Sequence, residues 1–273
     1  MYLVSCRKGF DSDQFLGSEN QYRNYTNPAD ITVFQDLNKT QILEQATNKH
    51  VAILVHGFNN KTEDVMRGYW RVVTQMKSQG VTGPAGYGLV LGFSWPGFAT
   101  AAGFFTAVIN AKRASSYLAD LINDVRAVAH SVDVQTHSLG ARVALQALKN
   151  PKKTFIDNLL LSAPAVDNHV LEPDEAFNSS LESCNRCLVY HSTNDNVLKL
   201  SFPLGDLTDG IHKALGNKGP RSKPVTLKSP NIYVVDCSAR VHDHSGYKDA
   251  KQYFDHWKQV LSGGPISRYD ELS

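Results

Sequence analysis

Seven short apolar runs punctuate the chain, at residues 31–34, 51–55, 89–93, 132–135, 158–161, 187–191 and 232–235. Most are apolar at consecutive rather than alternate positions and end in Gly, Pro or polar residues. That is the pattern of a strand buried on both faces. Between them, apolar side chains recur at helical spacing. Val65, Tyr69, Val72 and Met76 share one stripe, and Ala114, Tyr117, Leu118, Leu121, Val125 and Val128 a second. Ala250, Tyr253, Phe254, Trp257 and Leu261 form the last. Strands alternating with helices of this length predict an α/β fold, a mostly parallel central sheet with helices on both faces. With no repeat and no linker-like stretch, residues 1–273 are expected to form a single domain. Residues 201–230, rich in Gly and Pro and carrying Lys213, Lys218, Arg221, Lys223 and Lys228, read as a long solvated basic loop with at most one short helix.

Composition narrows the class. Hydrophobic residues make up 42%, enough for a sizeable core, and 28 Lys and Arg against 26 Asp and Glu leave a net charge of +2. A nucleic-acid binder would need a basic excess that is absent. The longest apolar candidate, residues 98–109, is broken by Gly103 and two threonines and falls short of the ~18 residues that span a bilayer, so no stable membrane insertion is expected. The start of the chain has no basic, apolar leader pattern, which points to the cytoplasm. Four cysteines are too few for a disulfide scaffold. Cys184 and Cys187 form one C-x-x-C without a second pair, so ordinary thiols are expected there, with no metal and no cofactor. Oligomeric state leaves no mark in the sequence.

Two strand ends carry chemistry. The run Val132-Asp133-Val134-Gln135-Thr136-His137 leads into Ser138-Leu139-Gly140 and then into a good helix-forming stretch. A serine at a tight strand-to-helix turn is held in a strained conformation with its hydroxyl over the sheet edge, a nucleophile elbow. Gly140 supplies the small residue needed two after the serine, whereas Thr136 stands where the first glycine of G-x-S-x-G is usual. The second strand end is His56-Gly57-Phe58-Asn59. A glycine there lets the chain turn sharply and aims backbone N–H groups at one point, as a tetrahedral oxyanion requires. The expected donors are the N–H groups of Phe58 and Leu139. His56 is expected to hold this loop by hydrogen bonds rather than to act as a base.

With these two turns, and with acidic and His candidates at later strand ends, the chain resembles an α/β-hydrolase over nearly its whole length. Gly92-Phe93-Ser94-Trp95-Pro96, Ser162-Ala163-Pro164-Ala165-Val166-Asp167 and Asp243-His244-Ser245-Gly246-Tyr247 make it similar to a bacterial branch of unknown function. The resemblance implies the order nucleophile, acid, base. Asp195, after the 187–191 strand, occupies the strand end where such a fold places its acid, with Asp167 after the preceding strand as competitor. The base falls to His244, in the His-Ser-x-Tyr setting the resemblance implies, with His242 as its alternative.

The reaction class that follows is a Ser138–His244–Asp195 ester hydrolase acting through an acyl-enzyme on a small-molecule ester. Thioester hydrolysis, acyl transfer and a catalytically silent binding fold remain open at this level. Residues 98–111 are equally a lid or pocket wall and the start of a buried helix. His137, Trp95, Phe104 and Phe105 are the candidate substrate contacts.

Overall fold

The chain opens with strands β1 (Tyr2–Arg7), β2 (Leu16–Tyr25) and β3 (Phe34–Leu37) and helix α1 (Lys39–Ala46). Alternation follows, through β4 (His50–Val55), α2 (Thr62–Ser78), β5 (Leu89–Ser94), α3 (Phe104–Arg126), β6 (Ser131–His137), α4 (Gly140–Ala147) and β7 (Ile156–Ser162). The remainder comprises β8 (Cys184–His191), α5 (Asn196–Leu200), the one-turn helices α6 (Leu215–Lys218) and α7 (Lys223–Thr226), β9 (Ile232–Asp236), α8 (Lys251–Leu261) and β10 (Tyr269–Glu271). The structure, a computed structural model, describes residues 1–10, 12, 16–28, 30–58, 60–97, 103–149, 153–200 and 213–273.

All these strands join one sheet in the order β10-β9-β8-β7-β6-β4-β5-β1-β2-β3. From β10 to β1 neighbours run parallel; only the β1–β2 and β2–β3 pairs are antiparallel. Six of the seven apolar runs are β4 to β9, buried on both faces because α2 and α8 form one helical layer and α1, α3 and α4 the other. The amphipathic stripes do this covering: Val65, Tyr69, Val72 and Met76 are buried on α2, and Tyr253, Phe254 and Trp257 on α8. The three strands β4, β6 and β7 are in register, Val55 beside Thr136 and Thr136 beside Leu161. Their carboxyl ends therefore open side by side. Among the described residues, no helix is long and apolar enough to cross a membrane.

Two expectations are corrected, and one strand lies outside the seven apolar runs. Residues 31–33 are not in a buried strand; β3 starts at Phe34 and is the exposed edge of the sheet, with Phe34 under the Arg23 guanidinium. The N-terminal run is a buried strand, β1, inserted beside β5. The stretch 213–230 is not merely solvated: Leu215, Gly216 and Asn217 are buried, and a Cβ on Gly216 would stand 2.3 Å from the Ala163 carbonyl carbon. Residues 98–102 of the expected lid and 201–212 of the expected loop lie outside the described residues.

Candidate active site

At the end of β6 the backbone of Ser138 takes φ of +56°, a left-handed conformation rare for a side-chain-bearing residue. Packing holds it there. The Ser138 N–H donates to the Ser162 carbonyl at 3.0 Å, and the Ser138 carbonyl accepts from the N–H groups of Ala141 and Ala165, each at 3.1 Å. Two glycines make the approach possible. A Cβ on Gly140 would lie 2.5 Å from the His56 carbonyl, and one on Gly57 would lie 2.8 Å from Ser138 Cβ. Thr136 does not loosen the turn, because its side chain is buried within the sheet and points to the Leu160 carbonyl.

The Gly57 contact sets the His56–Phe58 turn against the serine. His56 Nδ1 donates to the Gly57 carbonyl at 2.8 Å, while its Nε2 accepts from the Trp95 N–H at 3.1 Å. Both ring nitrogens are used in a neutral imidazole, and burial pushes the His56 pKa well below its ordinary value. Trp95, expected to touch substrate, is fully buried instead. Its ring stacks on His56 and its Nε1–H donates to the His56 carbonyl at 2.8 Å, so it supports the turn from beneath. Neither the Phe58 nor the Leu139 N–H has a protein acceptor among the described residues. Leu139 is fully buried and stands at the start of α4.

The expected acid and base, Asp195 and His244, stand beyond β8 and β9. Asp195 is completely buried, and its Oδ2 accepts from His244 Nδ1 at 2.7 Å. Its Oδ1 accepts from the Leu198 N–H at 2.9 Å. The side chain of His244 is 16% exposed. No hydrogen bond joins the Ser138 hydroxyl to His244; such contacts commonly tighten only around substrate. The backbone of Asp167, the competing candidate, pairs with that of Ala214 in an isolated antiparallel bridge, and His242 is exposed. His137, a candidate substrate contact, is half-buried. Its Nε2 donates to the His244 carbonyl at 2.7 Å, and the two rings lie 4.7 Å apart.

Phe104 meets the Phe58 ring edge-on at 5.4 Å, while Phe105 is half exposed on the same helical turn. The four cysteines, Cys6, Cys184, Cys187 and Cys237, are buried and free.

Comparison with known families decides the placement of the chain. Residues 34–244 match the model of an α/β-hydrolase family of unknown function, DUF900, and that span is more than half of the chain. The chain belongs to this α/β-hydrolase family. The fold of this hydrolase is also seen in the product of the Listeria innocua gene lin2722, with 11% identity, a TM-score of 0.52, and 83% of this chain and 99% of that one covered. It is seen again in esterase PE8, with 12% identity, a TM-score of 0.50, and coverage of 80% and 94%. At such identity the likeness is one of fold. No curated protein sequence matches the chain.

In this α/β-hydrolase the Asp195 turn is secured by a residue the sequence did not single out. Asn217 is buried on α6, and its Nδ2 reaches the carbonyls of Ser192, Thr193 and Asp195 at 3.2, 3.3 and 3.1 Å. Ser192 Oγ in turn donates to the Val241 carbonyl at 2.6 Å, joining the Asp195 turn to the His244 loop. An asparagine inside a basic Gly/Pro-rich stretch carries no local signal of this role. Only the tertiary fold brings it there.

The histidine environment predicts how the hydrolase responds to acid. Burial lowers the pKa of His56, His137, His191 and His256 below the ordinary value. Both ring nitrogens of His191 lack a partner among the described residues. The unfolded chain therefore takes up protons near pH 6.5 that the folded chain refuses, so stability is lost as pH falls below that value. Asp133 acts the other way. Burial raises its pKa to about 6, and the folded form then holds a proton the unfolded one lacks. Four imidazoles outweigh one carboxyl, so the urea midpoint should drop between pH 7.5 and pH 5.5. A constant or rising midpoint would show that these rings are solvated when folded.

Proposed function

We propose that this α/β-hydrolase is a serine hydrolase of carboxylic esters. Ser138 is the nucleophile, His244 the base, Asp195 the acid, and the N–H groups of Phe58 and Leu139 form the oxyanion hole. The observation that carries this reading is the buried 2.7 Å Asp195–His244 pair. A carboxylate in that position fixes the imidazole tautomer, with a proton on Nδ1 and a lone pair on Nε2, and stabilises the imidazolium once formed. In acylation His244 removes the Ser138 proton as Oγ attacks the ester carbonyl. The developing negative charge lies against the two N–H groups, and loss of one such donor costs about 3–4 kcal/mol of transition-state stabilisation. The imidazolium then protonates the departing alcohol. Water, deprotonated by the same imidazole, cleaves the acyl-enzyme and restores the serine.

His137 serves here as a positioning residue: its hydrogen bond to the His244 carbonyl holds the base loop beside the elbow. The partner in this reading is a small-molecule ester rather than nucleic acid or membrane, and the setting is cytoplasmic.

A panel of p-nitrophenyl esters from acetate to palmitate tests the reading, with turnover above the buffer rate expected for at least one chain length. No turnover across the panel would contradict it. Within that panel, Asp195→Asn should lower kcat about 10⁴-fold by allowing the wrong imidazole tautomer, whereas Asp167→Asn should be mild. A large loss at Asp167 and a small one at Asp195 would place the acid one strand earlier.

A further inference from the structure

The Phe58 N–H serves as an oxyanion donor only if the peptide between Gly57 and Phe58 is held in one orientation. A peptide unit is planar, with its carbonyl and N–H pointing in opposite directions, so whatever grips the Gly57 carbonyl also aims the Phe58 N–H. Two side chains grip it. His56 Nδ1 donates to that oxygen at 2.8 Å and Asn60 Nδ2 at 3.3 Å. The same Nδ2 donates to the Phe58 carbonyl at 2.7 Å, so Phe58 is pinned at both of its ends. Gly97 confines the peptide from another side, since a Cβ there would stand 3.0 Å from the Gly57 oxygen.

Asn60 is itself anchored from β1. Arg7, the last residue of that strand, is fully buried, and one terminal nitrogen of its guanidinium donates to the Asn60 carbonyl at 3.0 Å. Its Nε donates to Ser94 Oγ at 2.9 Å and its other terminal nitrogen to the Ser12 carbonyl at 3.0 Å. Ser5 stands beside Ser94 and Val55 beside Phe93, so β1 opens at the same sheet edge as β4. The register between β1 and β2 shifts between Ser5 and Arg7, an irregularity of the kind that re-aims a side chain. A guanidinium is costly to bury, and its donors keep fixed angles, which makes it a rigid fork rather than a flexible tether. After burial, the Arg7 cation is the next cause that lowers the His56 pKa. The ring is thereby kept neutral, as its bonds to Gly57 and Trp95 require.

We propose that Asn60 is a positioning residue of the oxyanion hole, anchored by Arg7, and that the pair sets the direction of the Phe58 N–H. The inference rests on the serine-hydrolase reading. Neither residue touches the ester; both act through the peptide between Gly57 and Phe58. Their contribution therefore enters when charge develops on the carbonyl oxygen, not when substrate binds.

The test measures kcat per active site titrated with a fluorophosphonate, so partial misfolding does not enter. Asn60→Ala should lower kcat about 30-fold with KM within about twofold, a fraction of the roughly 10²–10³-fold that outright loss of an oxyanion donor costs. Inhibition by a trifluoromethyl ketone, whose hemiketal oxygen occupies the hole, should weaken by a similar factor. Asn60→Asp keeps the shape but has no N–H to donate, and should fall as far. Arg7→Lys, which keeps the charge without the fork, should fall in the same direction. A change in KM alone, unaltered ketone inhibition, or full kcat in Asn60→Asp or Arg7→Lys would overturn the proposal. If the unmodified enzyme neither turns over an ester nor binds the ketone, the serine-hydrolase reading fails by itself. Relaxation of the ¹⁵N-labelled Phe58 amide then still judges the positioning. Its order parameter should drop from about 0.85 to below about 0.6 in Asn60→Ala, and an unchanged value refutes the role of Asn60.

Discussion

Replacing Ser138 by alanine should lower ester turnover about 10⁶-fold, to the residue of rate enhancement that binding and the oxyanion donors alone provide. The reason is that acylation has no other route. The hydroxyl is the group proposed to attack at the elbow, and the left-handed backbone of Ser138 is imposed by Gly57, Gly140 and the hydrogen bonds to Ser162 and Ala165 rather than by the side chain itself. Alanine adopts that backbone at a cost like that of serine, so the thermal midpoint should stay within a few degrees. Turnover that survives the substitution, measured on the best ester of the panel, would remove Ser138 from the mechanism. A matching collapse of the melting transition would instead make the serine a structural residue.

The base should show an equally large effect at one position and almost none two residues away. His244→Ala should lower kcat about 10⁶-fold, since without an acceptor for its proton the serine is as ineffective as if absent. His242→Ala should change kcat less than about tenfold. The two differ in what they touch: His244 donates to a fully buried carboxylate, whereas His242 is exposed. Kinetics of both variants on the same ester decide this, and the reverse pattern would move the base to His242.

How much of this was readable from the chain depends on what each residue packs against. β4 announces itself because both faces are covered by helices and Val51 to Val55 are all apolar, whereas β6 carries Asp133, Gln135 and Thr136 and is marked by the turn that follows it. β2 is an edge-side strand of mostly half-exposed polar residues, Ser18 to Asn24 among them, and gives no alternation to read. β10 is only three residues long. The elbow and the His56-Gly57 turn were legible because close backbone approach demands small residues at set positions, and Asp195 and His244 follow from their strand ends. Trp95 was misread: an aromatic ring just past the end of β5 could have faced substrate, but it lies fully buried against the His56 ring. Asn217 was invisible because the contacts that define it span more than twenty residues of chain.

The central claim is that Ser138 is an activated nucleophile, and covalent capture tests it most directly. Incubation with a fluorophosphonate followed by peptide mapping in a mass spectrometer should find one adduct, on the peptide carrying Ser138. It should form far more slowly in His244→Ala and be absent in Ser138→Ala. An unmodified Ser138 peptide, or an adduct on another residue that persists in Ser138→Ala, would contradict the account.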